Sequence, residues 1–154
     1  MINLLFIERT YKKNDNFGSI TEHLEMDLII NSTFETPAVR FIESNGDFQI
    51  KGRIIPNSGN AFWKNIHTWV TDTIPKVNVP VTLTIEIEYI NAYSVTQLLN
   101  LISSLKSVTD RGCLFSINWI SDKDDGNEVY LIGQDIAAAT NCPFEFSGVL
   151  ENCN

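Results

Sequence analysis

The chain has 154 residues, about one domain on the usual length prior and enough to bury roughly two thirds of its unfolded surface in a single core. Nineteen acidic against eleven basic residues give a net charge of −8, and the longest basic cluster is the pair Lys12 and Lys13, so a phosphate-tracking stripe is excluded and nucleic acid and anionic membrane are poor partners. The balance of apolar and charged residues is that of a chain that folds rather than one that stays disordered.

Residues 1–7 are apolar but have no basic flank and meet Glu8 too soon for a signal peptide. No stretch approaches the roughly 18 apolar residues of a spanning helix, so a cytoplasmic protein is expected. A short strand is expected at 3–7, then a polar loop over 11–19. Ala38–Ile42 and residues 48–50 flank Ser44-Asn45-Gly46-Asp47, and Asn-Gly between apolar runs predicts an antiparallel hairpin. Pro56-Asn57-Ser58 offers a helix cap, followed by Phe62, Ile66, Trp69 and Val70 on one helical face. After Pro75 and Pro80, the residues Val81, Leu83, Ile85, Ile87 and Tyr89 alternate with Thr82, Thr84, Glu86 and Glu88. That period of two predicts a strand with one buried face.

A second helix is expected over 94–106, with Leu98, Leu101, Ile102 and Leu105 inward and Arg111-Gly112 past its end. Residues 113–120 predict a strand. A third helix, starting at 125–127, would bury Val129, Ile132 and Ile136 before Pro143 breaks it, and 144–150 could add an edge strand. The strand-helix-strand crossovers imply parallel pairing with right-handed connections. The predicted fold is therefore α/β: a small mixed sheet, an antiparallel hairpin followed by parallel units, with helices packed on it.

Signatures of catalysis are scarce. Neither His23 nor His67 has a Cys or Asp at ligand spacing, and no P-loop, nucleophile elbow or dinucleotide fingerprint occurs. Cys113, Cys142 and Cys153 are odd in number without CxxC spacing and read as reduced thiols, Cys113 as a core residue. The acidic run from Asp122 to Glu128 has a misplaced Gly for a calcium loop and suits a helix N-terminus or a partner-facing edge. Neither a cofactor nor a metal is expected. Glu86 and Glu88, sharing one strand face, are the carboxylates an enzyme would use. A solvated strand face explains them more cheaply.

The richest segment joins the best strand to a helix, Glu88-Tyr89-Ile90-Asn91-Ala92-Tyr93-Ser94. Ser94 and Gln97 have the spacing of a capping box. A hydroxyl at a helix N-terminus is also a natural phosphate position, since free N–H groups and the dipole favour the added charge. Both readings stay open, as does Tyr93 as an interface anchor or a residue packed on the sheet.

At these residues the sequence resembles the SiaC-type bacterial regulatory phosphoproteins, whose fold is STAS-like. The matching blocks are Thr36-Pro37-Ala38-Val39-Arg40-Phe41, Gly46 through Ile50-Lys51-Gly52-Arg53, the helix from Pro56 to Trp69, Glu88-Tyr89-Ile90-Asn91, and Asn118-Trp119 with the acidic run and Gly133 beyond it. Their order covers about residues 24–148, so 24–154 is expected as one domain and 1–23 as an extension. The resemblance implies a non-enzymatic signalling protein that binds a diguanylate cyclase and is switched by a kinase and a phosphatase. It implies Ser94 as the candidate phosphoacceptor and Asn91, Tyr93, Asp124 and Asp125 as candidate partner-binding residues. The chain departs from the family at Ala92, where a threonine is usual, and at Asn57, where a glutamate commonly follows the proline. A relative that has lost signalling and pairs with a second copy through an edge strand is the alternative.

Overall fold

Alternation of apolar residues over the strands and their helical spacing between them give β1 (Leu5–Tyr11), β2 (Leu24–Ile30), β3 (Ala38–Ile42), β4 (Asp47–Ile54), α1 (Phe62–Thr73), β5 (Val81–Ile90), α2 (Ala92–Leu105), β6 (Phe115–Ser121), α3 (Glu128–Thr140) and β7 (Phe144–Gly148). These come from a computed structural model that describes residues 5–11, 24–122 and 127–148. The seven strands form one sheet in chain order. β1 to β4 are antiparallel neighbours, and β4 to β7 pair in parallel.

Each parallel step moves one strand in the same direction through one helix, so right-handed crossovers place α1, α2 and α3 on one face of the sheet. Burial agrees. Phe41, Phe48, Ile50, Leu83, Ile85, Ile117 and Trp119 are fully covered, whereas Arg40, Gln49 and Lys51 on the opposite side are exposed. The product is two layers, with the core between them. Phe41 and Phe48 stack at 4.7 Å, and Trp69 of α1 closes on both at 5.5 and 5.6 Å. The Trp69 indole N–H donates to the Met26 carbonyl at 3.0 Å, so its one polar atom is satisfied inside the core.

Several expectations need correction. The first strand runs Leu5–Tyr11 rather than 3–7, and residues 12–19 of the expected loop lie outside the described residues. β2, passed over in the sequence, pairs with both β1 and β3. Helix α1 begins at Phe62, not at the Pro56 turn: Asn57 Oδ1 accepts from Gly59 N within that turn, and Asn60 Oδ1 takes the Phe62 N–H. Three crossovers exist instead of two, because β7 returns in parallel beside β6. The third helix does end before Pro143, as expected, at Thr140, with Asn141 left-handed at φ 51°.

Two glycines are fixed by close approach. At Gly46, φ is 69° and a Cβ would lie 2.0 Å from the Pro80 carbonyl oxygen, so the hairpin turn and the entry to β5 require glycine. At Gly133 a Cβ would lie 2.5 Å from the Trp119 ring, which lets α3 press directly on that indole.

Candidate functional site

The strand-to-helix corner after β5 is held by Asn91. Its backbone N–H donates to the Ile54 carbonyl at 2.9 Å, tying it to the end of β4. Its side-chain oxygen accepts from the Ser94 N–H at 2.9 Å and its amide donates to the Pro56 carbonyl at 2.9 Å. With φ −83° and ψ 161°, Asn91 is the N-cap of α2. The capping box assigned to Ser94 and Gln97 is therefore corrected: Ser94 lies in the helix's first turn and receives the cap. Asn91, a candidate partner-binding residue, has both ends of its amide engaged within the fold.

Ser94 is 0% exposed, and its hydroxyl accepts the Trp63 indole N–H at 3.0 Å. One turn on, Gln97 Oε1 meets His67 Nε2 at 2.9 Å, while the His67 ring stacks on Trp63 at 5.9 Å. Two polar rungs thus join α1 to α2, residues 63 and 67 on one side and 94 and 97 on the other, at the helical repeat on both. The sequence singled out Ser94 and found no ligand partner for His67; it missed Trp63, whose spacing of four from His67 was the available signal. A phosphate on Ser94 in this arrangement requires α1 and α2 to part, because the hydroxyl has no path to solvent.

Around these buried groups, the corner offers Ala92, which is exposed, and Tyr93, which is half-buried and packs against the core cluster. Both readings of Tyr93 therefore hold in part. Asp124, Asp125, His23 and Cys153 lie outside the described residues. Cys113 and Cys142 are free thiols, half-buried against the core, so Cys113 is peripheral to it.

The carboxylates weighed for catalysis both lie on the face of β5 turned away from the buried Ile85 and Ile87. Glu86 is paired with Lys51 at 3.4 Å, and Glu88 is skipped in the ladder, where Gly52 pairs with Ile87 and Arg53 with Tyr89. That irregularity turns Tyr89 outward, against the inward position its alternation predicted. A cavity of about 270 Å³ lies instead at the ends of β6 and β7, lined by Ser121, Tyr130, Phe146 and Ser147 among others. Among the described residues no three His, Cys, Asp or Glu side chains gather as a metal ion requires, and no helix is long and apolar enough to cross a membrane.

Fold and corner together define a two-layer α/β domain with a capped helix start at the C-terminal end of β5, inside the parallel part of the sheet. The chain belongs to the SiaC family of regulatory phosphoproteins, whose family model matches residues 30–149. Among solved structures it is similar to apo-SiaC of Pseudomonas aeruginosa, at 21% identity over 79% of this chain and 98% of that one, with a TM-score of 0.69. It is also similar to SiaC of the same organism in a crystal structure with the diguanylate cyclase SiaD, which SiaC activates, at 20% identity over 80% of this chain and 100% of that one, with a TM-score of 0.71. No curated protein matches the chain.

Proposed function

We propose that this chain is a non-enzymatic regulatory module that docks on a diguanylate cyclase, sets the rate of cyclic di-GMP synthesis, and does so without a phosphate switch at the α2 corner. Family membership and the solved complex of a relative with its cyclase support the partner. The observation that carries the loss of the switch is the corner itself: the exposed position has Ala92, which has no hydroxyl, and the nearest serine, Ser94, is buried and bonded to Trp63. A kinase and phosphatase, which the resemblance implies, then have no accessible substrate at 92 or 94. Tyr93 and the surface around Ala92 form the docking edge, with Asp124 and Asp125 as a second contact and Asn91 holding the corner in shape.

The test is the cyclic di-GMP output of a diguanylate cyclase purified from the same host, with increasing amounts of this chain. A dose-dependent change in output and a stable complex on size exclusion are expected. Unchanged output with no complex for any of the host's cyclases would overturn the reading.

A further inference from the structure

We infer that the cavity at the C-terminal ends of β6 and β7 is a docking pocket for one arginine side chain of a protein partner. The described residues that line it are Ser121 at the end of β6, Asn127 and Tyr130 at the start of α3, and Phe146, Ser147 and Gly148 of β7. Its volume of about 270 Å³ falls below the roughly 300–1,000 Å³ of small-molecule sites and suits a single side chain. β5 and β6 run parallel, so the starts of α2 and α3 lie at one rim of the sheet, and the cavity continues the docking edge at Ala92.

Alternation along β6 turns Ser121 to the helix side with Ile117 and Trp119, and Ser121 is only 4% exposed. Among the described residues its hydroxyl has no hydrogen-bond partner, yet it is not sealed from open space, so it faces the cavity. A buried hydroxyl without a partner is unfavourable, and a ligand that donates to it relieves the loss. The other wall is aromatic. Tyr130 meets Phe146 edge-on at 5.3 Å, and Phe144 stacks on Phe146 at 5.6 Å. Gln134 Nε2 donates to the Tyr130 hydroxyl at 2.9 Å and holds that ring in place.

Charge selects the occupant. Residues 121–148 hold six acids and one base, Lys123, so this segment carries −5 of the chain's net −8. Asp122 adjoins Ser121 and Glu128 adjoins Asn127 in the chain, and among the described residues no lysine or arginine lines the cavity. Glu128, in the first turn of α3, meets the positive end of the helix dipole, so the helix start does not turn a cation away. These acids refuse an anion, and a wholly apolar side chain leaves the Ser121 hydroxyl unpaired. Between the two cationic side chains, the lysine ammonium is compact and strongly hydrated, whereas the planar, weakly hydrated guanidinium stacks on aromatic faces and carries five donors. Arginine answers both walls. On the reading above it belongs to the cyclase, and only that assignment rests on that reading.

The test has two arms. In the first, the full chain is titrated with the tripeptides Gly-Arg-Gly, Gly-Lys-Gly and Gly-citrulline-Gly, citrulline being the neutral isostere of arginine, and the amide shifts of Ser121, Tyr130 and Phe146 are followed by NMR. Saturable shifts with the arginine peptide are expected, about tenfold or more weaker in affinity with citrulline and in Tyr130→Leu. Ser121→Ala should also weaken binding at an unchanged melting temperature, since it removes a hydroxyl that nothing else in the described fold uses. No shift with the arginine peptide, equal binding of the lysine or citrulline peptide, or micromolar binding of free agmatine, which would make the cavity a metabolite site, would overturn the inference. In the second arm the host's diguanylate cyclase is titrated with wild type and Tyr130→Leu. Binding that falls about tenfold in the variant places the arginine on the cyclase. Cyclase binding unchanged in Tyr130→Leu would overturn the pocket's docking role and leave the cyclase reading standing, whereas arginine-peptide binding without cyclase binding would support the pocket and remove the cyclase reading alone.

Discussion

Ser94 shows how one position can carry a polar pattern for a reason other than the one its spacing suggests. Its N–H is capped by Asn91 and its hydroxyl is the acceptor for Trp63, so Ser94→Ala leaves a buried indole N–H without a partner. The expected loss is about 1–3 kcal/mol in urea denaturation, and Ser94→Asp should lose more, since it buries a charge. Loss of binding in Ser94→Asp therefore reports unfolding before it reports a phosphate mimic. Asn91→Ala should cost about 1 kcal/mol by removing the cap. At Gly133 the fit against Trp119 leaves no room for a methyl group, and Gly133→Ala should destabilise by about 1–3 kcal/mol, read as a lowered midpoint at unchanged slope. The sequence pointed to the corner but assigned the cap to the wrong residue. Asn and Ser are both good caps three positions apart, and only the backbone at Asn91, extended where Ser94 is helical, separates them.

Among the elements, the period-two and helical patterns located β5, all three helices and the hairpin, because each buries one face against the same core. β2 escaped for a physical reason. Its pairing with β3 covers only Leu28 to Ile30, and beyond it the acids take over: Asp27 Oδ1 accepts from Glu43 N at 3.0 Å and Glu43 Oε2 from Met26 N at 2.6 Å. Side-chain acceptors there stand in for ladder carbonyls, in residue types that strands usually avoid. The outward turn of Tyr89 was equally hidden, since a register shift between strands leaves no mark on the alternation of one of them. β1 pairs with β2 along the whole of both strands, ahead of the region the family model matches. Removing residues 1–11 should free the β2 edge and cause concentration-dependent self-association in light scattering; a strictly monomeric truncation would show that β1 does not guard that edge.

At the scale of the molecule, seven strands in chain order put all three helices on one side, and among the described residues no second layer covers the other side of the sheet. One layered body thus presents a capped helix start at one rim and a polar sheet face carrying Arg53 and Tyr89. Such a body can dock without rearranging, consistent with the small shape changes of pre-organised partners. In the proposed docking mode the exposed Ala92 faces the cyclase. A carboxylate there lies at a helix N-terminus, which favours negative charge, so Ala92→Asp should fold at least as stably as wild type. The most direct measurement is calorimetric titration of the host's diguanylate cyclase with wild type and with Ala92→Asp, alongside their melting curves. Tight binding by wild type that falls about tenfold or more in an equally stable Ala92→Asp is the predicted result; equal binding by both proteins, or none by wild type, would contradict it.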